Sequence, residues 1–150
     1  MSKKHPVIIV TGSSGAGTTT MKTVFEHIFF RQGIKPLHID GDSFHRYNRQ
    51  EMSQFIMNSL EVGEYFSHFG PEANLFSELS ETFKNYSDNG KAKVRHYIHT
   101  REEAEEYGVD QLPGTFTEWE EVKGATDCLF YEGLHGAVVT DEVNIAQHAD

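Results

Sequence analysis

The chain has 150 residues and a formal net charge of −10. That length suits one domain, here residues 1–150, and it can bury a hydrophobic core without a disulfide or a metal. The acidic balance excludes a protein that holds nucleic acid or an anionic membrane through an overall positive field. Any anionic ligand must therefore be bound by a local pocket, and no nucleic-acid or membrane partner is expected.

The cysteine content and the apolar runs limit the setting of the protein. A single cysteine, Cys128, rules out an intrachain disulfide and is expected to be a buried core residue. No apolar stretch approaches the ~20 residues that a membrane helix requires. The apolar stretch over 7–10 is also too short for a signal peptide. We therefore expect a cytoplasmic protein.

Strand-like and helix-like segments alternate along the chain. Residues 7–10 form a β-branched run typical of a strand buried on both faces. An amphipathic helix is predicted from about Thr18 to Gln32, with Gly33 as its C-terminal stop, and a strand over 35–40 completes a βαβ unit. Later elements are predicted as helices over about 49–61 and 71–86, a turn over 87–90, strands over 93–99 and 127–132, an exposed acidic segment over 102–110, and a short helix near 142–148.

This alternation predicts an α/β domain with a mainly parallel sheet. Ligands of such sheets gather at the carboxyl ends of the strands. Three candidate features fall there: the turn after the first strand, Asp42 after the second strand, and Glu132 at the end of the strand near residue 130.

A glycine-rich turn joins the first strand to the first helix. It has the spacing of a P-loop, except that a threonine replaces the usual lysine: Gly12, Ser13, Ser14, Gly15, Ala16, Gly17, Thr18 and Thr19. The glycines let backbone N–H groups turn inward at a helix N-terminus, which favours phosphate. We predict that these residues and Thr20 bind the nucleotide and that the Thr19 hydroxyl reaches Mg²⁺. A plain glycine-rich turn is the alternative.

Two carboxylates are candidates for the chemistry of phosphoryl transfer. Asp42 follows Gly41 and could accept the proton of a substrate hydroxyl, although a turn or helix cap fits the same pattern. Asp40 competes for that role, but strand alternation places it nearer the sheet. Glu132 closes a buried strand, where a P-loop fold holds its Mg²⁺-linked carboxylate. A surface charge at a strand end is the alternative for Glu132.

Basic and imidazole side chains follow Asp42 and occur again near residue 97. His45 and Arg49 are four residues apart and are predicted to share a face of the following turn or helix. Such a pair suits a phosphate monoester, and a solvated basic patch is the alternative. His96 and His99 point to opposite faces of a strand, which argues against a joint metal site. His99 is a candidate pocket residue or a structural histidine, and Trp119 is predicted to anchor a loop.

Four sequence blocks then indicate a family. They are VTGSSGAGTT at 10–19, GDSFHRY at 41–47, FSHFGPEAN at 66–74 and FYEGLHGAVV at 130–139. Over almost its whole length the chain resembles the N-terminal portion of bacterial-type phosphoribulokinases, P-loop kinases of the phosphoribulokinase/uridine kinase family. In that type, threonine stands where other P-loop kinases have lysine, so Thr18 is a family trait.

The resemblance implies a three-layer α/β/α fold and transfer of the ATP γ-phosphate to the 1-hydroxyl of ribulose 5-phosphate, with Mg²⁺. Carried over by position, Asp42 matches the catalytic base and Glu132 the acid near Mg²⁺. His45 and Arg49 match sugar-phosphate contacts, and His99 falls in a matching Tyr-x-His segment. A homo-oligomer in the full-length form, with NADH and AMP as effectors, is implied as well.

Two departures from the family keep alternatives open. Ser53 stands where many photosynthetic members have lysine, which leaves room for a related kinase acting on a nucleoside or pantothenate. Family chains also continue well beyond residue 150. We therefore expect a sheet that is incomplete at the C-terminus and a portion that is weakly active alone. A non-catalytic nucleotide-binding regulatory module is the remaining alternative.

Overall fold

A computed structural model describes residues 4–150, and helices and strands alternate in it as predicted. The elements in chain order are β1 (Val7–Thr11), α1 (Thr18–Gln32), β2 (Pro36–Asp40), a 3₁₀ turn (Gly41–Phe44), α2 (Arg49–Glu61), α3 (Phe76–Asn89), β3 (Lys93–Val94), α4 (Arg101–Tyr107), β4 (Glu120–Glu121), β5 (Cys128–Gly133) and a second 3₁₀ turn (Ile145–His148). Between residues 4 and 150, no helix is both long enough and apolar enough to cross a membrane.

The main sheet has three parallel strands in the order β1-β5-β2. The late strand β5 therefore lies between the two strands of the βαβ unit. The register pairs Glu132 with Val10 on one side and with Asp40 on the other. Paired residues on neighbouring parallel strands point to the same face, so Asp40 and Glu132 lie side by side at the carboxyl edge. The predicted parallel sheet is confirmed.

Helices cover both faces of this sheet. Leu129 and Tyr131 of β5 pack in a cluster with Phe83 of α3, whereas Cys128 and Phe130 pack with Phe29 of α1. All four β5 residues are buried because successive side chains of a strand point to opposite faces. The predicted three-layer α/β/α arrangement and the buried position of Cys128 are confirmed.

Helices α1 and α2 have the predicted bounds because each has a clear end signal. Gly33 follows α1 in the left-handed conformation, with φ of 66°, which glycine adopts without a steric penalty. Asn48 caps α2 through a capping box. Its side chain accepts the Glu51 N–H at 2.9 Å, and the Glu51 carboxylate accepts the Asn48 N–H at 2.8 Å.

The helix predicted over 71–86 is displaced towards the C-terminus. It begins at Phe76, because the preceding residues form a turn closed by the buried Asn74. The Asn74 amide donates to the carbonyls of His68 and Gly70 at 2.8 and 2.9 Å. The helix also continues through the predicted turn over 87–90 and ends at Gly90, where φ is 72°.

The strand predicted over 93–99 is wrong in length. Only Lys93–Val94 pairs as a strand, antiparallel to β4, and a single bridge joins Tyr97 to Phe116. Between these points Arg95 turns towards the loop after β2 and bonds to its carbonyls, which replaces a continuous ladder. The acidic segment begins within helix α4, and the predicted C-terminal helix is a single 3₁₀ turn.

Candidate active site

The phosphate loop connects β1 to α1 through glycines with positive φ. Gly15 has φ of 81° and Gly17 has φ of 89°, a region that other residues rarely enter. Gly17 is the N-cap residue of α1, and no side chain caps this helix within the described residues. The first N–H groups of α1 are therefore open to an anion, as the sequence predicted for a phosphate loop.

Thr18 packs inside the phosphate loop. A Cβ placed on Gly12 would lie 3.1 Å from Thr18 Cγ2 and 3.2 Å from Ala16 Cβ, so the loop closes tightly around this glycine. The threonine side chain supplies no positive charge. Thr19 and Thr20 are exposed at the start of α1, next to the open helix end.

Asp40 and Asp42 have different roles at the end of β2. The Asp40 carboxylate accepts the backbone N–H of Asp42 at 2.9 Å and so caps the 3₁₀ turn. Desolvation raises the pKa of Asp40, and the nearby Asp42 and Glu132 carboxylates raise it further. Asp42 instead faces a cleft of about 270 Å³, which is lined by Gly41, Asp42, His45, Met52, His68, Phe69, Leu134 and His135.

Two imidazoles approach the Asp42 carboxylate. His99 Nε2 lies 2.8 Å from Oδ2, and His45 Nε2 lies 3.5 Å from Oδ1. Burial lowers the pKa of His45, an effect that the nearby carboxylates only partly offset. Burial also acts to lower the pKa of His99, but hydrogen bonds to Asp42 and Glu103 outweigh it and raise that pKa. The structure thus brings His45 and His99 together at Asp42.

Arg49 lies beside His99 rather than on one helical face with His45. The prediction of a shared face is wrong, because His45 follows the 3₁₀ turn and Arg49 is the first residue of α2, after the Asn48 cap. The Arg49 guanidinium donates to the His99 carbonyl at 3.5 Å, and its backbone N–H donates to the Gly114 carbonyl at 2.9 Å.

Glu132 is the penultimate residue of β5 and pairs with Val10, two residues before the phosphate loop begins. The turn after β5 folds back over β1, where the Thr11 hydroxyl donates to the Leu134 carbonyl at 3.0 Å and accepts the Gly136 N–H at 3.2 Å. This link joins the cleft to the residue before the phosphate loop. No group of three or more histidine, cysteine or acidic side chains within residues 4–150 is arranged to hold a metal ion.

Arg95 holds the loop that carries Asp42 and His45, a contact that the sequence analysis missed. Its Nε donates to the Ser43 carbonyl at 2.8 Å and its Nη2 donates to the His45 carbonyl at 2.6 Å. The guanidinium lies over the Phe116 ring at 3.7 Å and over the Trp119 ring at 4.7 Å. Trp119 anchors this loop as predicted, with its ring 5.4 Å from that of Phe44. The sequence signal for this role was a charged residue, Arg95, inside a segment predicted as a strand.

Three further site residues were also missed. His68 and His135 line the cleft, and Glu103 binds His99. Burial lowers the pKa of His135, whose ring lies 5.1 Å from that of Phe76. A larger cavity of about 660 Å³ lies between α3 and the β3–β4 ribbon, behind Phe44, and none of the predicted site residues lines it.

Comparison with known proteins identifies the family. The model of the phosphoribulokinase / uridine kinase family matches residues 7–150. The chain belongs to this family.

Among curated relatives, the chain is 54% identical to the chromosomal phosphoribulokinase of Cupriavidus necator, over 99% of this chain and 50% of that protein. It is 52% identical to the phosphoribulokinase of Nitrobacter vulgaris, over 100% of this chain and 51% of that protein. The solved structure of phosphoribulokinase from Rhodobacter spheroides superposes with a TM-score of 0.84 at 46% identity, covering 99% of this chain and 50% of that one. The chain thus spans about half the length of the relatives it matches. The resemblance and the P-loop kinase fold are confirmed.

Proposed function

We propose that this chain is the nucleotide-binding and base-carrying part of a phosphoribulokinase, which transfers the γ-phosphate of ATP to the 1-hydroxyl of ribulose 5-phosphate. The observation that carries the proposal is the Asp42 carboxylate, which His99 binds at 2.8 Å in a cleft joined to the phosphate loop. Relatives named phosphoribulokinase, at 52% and 54% identity, support this choice of substrate.

The phosphate loop holds the nucleotide in this proposal. The positive-φ glycines and the open N-terminus of α1 direct backbone donors at the phosphates of ATP. The oxygen ligands that Mg²⁺ prefers are available from the Thr19 hydroxyl and the Glu132 carboxylate, and bound Mg²⁺ would neutralise phosphate charge. Since Thr18 supplies no cation, further positive charge has to approach from another segment.

Asp42 acts as the base in this proposal. Its carboxylate takes the proton of the substrate 1-hydroxyl while that oxygen forms a bond to the γ-phosphorus. The bond from the γ-phosphorus to the bridging oxygen breaks, and ADP leaves with the electron pair. In this proposal His45, which lines the cleft, and Arg49, which contacts the His99 carbonyl, bind the sugar phosphate, with Arg49 as the planar cation that suits a phosphate monoester. His99 contributes at Asp42, because both of its ring nitrogens contact carboxylates.

A chimera tests the proposal, because the chain matches only half of its relatives. In this chimera, residues 1–150 are followed by the C-terminal half of the Cupriavidus necator chromosomal enzyme. We expect ATP-dependent formation of ribulose 1,5-bisphosphate, and binding of Mg²⁺-ATP by the 150-residue chain in calorimetry. Phosphorylation of uridine or pantothenate in place of ribulose 5-phosphate would refute the substrate. ATP binding without any turnover would identify a regulatory module.

We also propose that the longer protein is a cytoplasmic homo-oligomer and that NADH and AMP are its effectors. Sedimentation of the chimera and its rate with each effector added test this part separately. A monomer whose rate is indifferent to both effectors would contradict it.

A further inference from the structure

His99 is bound at both ring nitrogens by carboxylates from different parts of the fold. Its Nε2 lies 2.8 Å from Asp42 Oδ2, and its Nδ1 lies 3.0 Å from Glu103 Oε2. The same Glu103 oxygen accepts the backbone N–H of His99 at 2.7 Å. An imidazole that carries both protons donates at each nitrogen, so two carboxylates match its two N–H groups.

Glu103 also has a structural role in the N-terminal cap of α4. It lies in the first turn of α4, where Thr100 caps the helix by accepting the Glu103 N–H at 3.3 Å. A glutamate at this position commonly bonds back to the backbone before the helix. Such capping explains the bond to the backbone N–H of His99. It does not explain the bond to Nδ1, which decides which nitrogen of His99 faces Asp42.

We propose that Glu103 is a positioning residue that holds the His99 imidazole as a hydrogen-bond donor to Asp42. By occupying Nδ1, Glu103 leaves the Nε2–H for Asp42 Oδ2, while Asp42 Oδ1 remains on the side of His45 and the cleft. The catalytic value of this arrangement rests on the proposed function, because it matters only where Asp42 receives a substrate proton.

The charges around His99 favour its protonated form. Asp42 and Glu103 contact the His99 ring, and Asp40 and His45 are close to Asp42. Arg49 of α2 contacts the His99 carbonyl, and the ring of Tyr97, in the loop before α4, lies against the His99 ring. Burial alone would lower the pKa of His99, but the two bonded carboxylates raise it. As an imidazolium, His99 has no lone pair to accept a proton from Asp42. It therefore holds the base in place and does not relay its proton.

Titration of the 150-residue chain tests this directly. The ring nitrogens of His99 are followed by NMR, and His99→Gln identifies their signals. Glu103→Gln keeps an oxygen that can accept the backbone N–H, so α4 stays capped, but it removes the charge at Nδ1. We expect His99 in Glu103→Gln to lose its proton at a lower pH than in the unsubstituted chain. Glu105→Gln, which removes the same charge from an exposed position on α4, should leave the titration unchanged.

Thr100→Ala distinguishes positioning from helix capping. It removes the α4 cap but keeps both carboxylates at the ring, so we expect lower stability and an unchanged His99 titration. An unchanged titration in Glu103→Gln, or an equal shift in Thr100→Ala, overturns the proposal. If Glu103→Gln does not fold, the titration of His99 in the unsubstituted chain is the test. At the pH where exposed histidines titrate, a His99 that is already neutral overturns the proposal. A His99 that still carries both ring protons at that pH supports it.

The chimera supplies the catalytic readout. Glu103→Gln should lower kcat by roughly 10- to 100-fold, the usual effect of losing a group that orients a reacting one. The decline of activity at alkaline pH should also begin at a lower pH, because His99 loses its proton earlier. The NMR titration needs no turnover, so failure of the proposed kinase activity leaves its result readable. An active chimera whose Glu103→Gln variant has an unchanged pH profile contradicts the positioning role alone.

Discussion

At the scale of single residues, Asp42 lies between two imidazoles whose pKa values move in opposite directions. Burial lowers the pKa of His45, whereas bonds to two carboxylates raise that of His99. Environments that move the pKa values of two groups apart leave the groups in different charge states. At a pH between the two values, His99 is therefore protonated and His45 is neutral. One oxygen of Asp42 thus faces a cation and the other faces a neutral ring. In the proposed reaction, this asymmetry leaves Oδ1 to receive the proton of the substrate.

The raised pKa of His99 makes stability depend on pH. A raised folded pKa gives stability that is fully present below the ordinary value of 6.5 and is lost as pH rises through the folded value. We expect the difference in free energy of unfolding between the unsubstituted chain and His99→Gln to shrink as pH rises through that window. Urea denaturation at a series of pH values measures it.

His45 provides the opposite control. Its lowered pKa favours the neutral ring, so its contribution is present above 6.5 and is lost as pH falls through the lowered folded value. The difference between the unsubstituted chain and His45→Gln should therefore grow as pH rises. Identical pH dependence in the two variants would contradict the charge assignment around Asp42.

Gly114 holds the position of Arg49. Its φ is 85°, and a Cβ placed on it would lie 2.8 Å from Arg49 Cβ and 3.2 Å from Arg49 Nε. We expect Gly114→Ala to displace the guanidinium and to raise the KM for the sugar phosphate in the chimera by about 10-fold, the loss of one charge-assisted contact. Steady-state kinetics with ribulose 5-phosphate measures this.

Gly124→Ala is the matched control for Gly114→Ala. Gly124 has φ of 90°, and the nearest atom to an added Cβ there is Lys35 Nζ at 3.8 Å. Both substitutions carry a similar backbone penalty of roughly 1–2 kcal/mol. Only Gly114→Ala should change KM, and an equal change in both variants would show that strain, not Arg49, causes the effect.

At the scale of elements, Arg95 joins the β3 segment to the loop that carries Asp42 and His45. A charged donor bonded to two carbonyls contributes about 1.5–3 kcal/mol per bond. We expect Arg95→Met to lower the free energy of unfolding by about 3 kcal/mol and to lower kcat in the chimera. Arg95→Lys keeps the charge but loses the planar fork, so it should recover only part of either quantity. Denaturant titration and kinetics check both.

An Arg95→Met variant with unchanged stability and kcat would remove Arg95 from the support of the site. Lys84→Met provides the comparison, because Lys84 is exposed on α3 and the same charge is lost there. That substitution should leave both quantities within the usual range of surface changes, about 0.5 kcal/mol for stability.

The elements that the sequence predicted well have local signals. Helices α1 and α2 and strand β5 follow from hydrophobic periodicity and from end residues such as Gly33. The start of α3 was wrong because Pro71 favours a first helical turn, whereas the buried Asn74 amide closes a loop there. The loop is also held by the segment after β2, because the backbone N–H of Arg46 donates to the Ala73 carbonyl and that of Leu75 donates to the Phe44 carbonyl. No local sequence pattern contains these two tertiary bonds.

The candidate site was predicted as a set of residues but not as a network. Asp42, His45, Arg49 and His99 were identified, and their roles as base and substrate contacts stay predictions. The Asp42–His99 bond joins residues 57 positions apart, so no spacing rule could find it. Glu103 was read as part of an exposed acidic segment, because a glutamate in a first helical turn is ordinarily a cap or a surface charge.

At the scale of the whole molecule, the β1 edge of the sheet is open within the described residues and lies beside exposed apolar side chains. Strand β1 pairs there with β5 alone, and α1 next to it exposes Met21, Val24 and Ile28 by 45–46%. These three side chains share one helical face. The curated relatives are about twice as long as this chain, which matches about half of each of them. We expect the other half of such a protein to pair with β1 and to cover this face.

Co-expression tests the open side. The C-terminal half of the Cupriavidus necator enzyme, made as a separate chain, should co-purify with residues 1–150, and Ile28→Glu should weaken that association. Phe30→Glu is the control, because Phe30 is 87% exposed on the opposite side of α1. Equal loss in both variants, or none in Ile28→Glu, would place the contact elsewhere.

The role of Asp42 as the base is measured most directly by the turnover of the chimera and of its Asp42→Asn variant with ATP and ribulose 5-phosphate. A positioned general base contributes about 10²–10⁴-fold, so Asp42→Asn should lower kcat by that factor. The KM for ATP should stay unchanged, because the phosphate loop is intact. An Asp42→Asn variant that forms ribulose 1,5-bisphosphate at the unsubstituted rate would show that Asp42 is not the base.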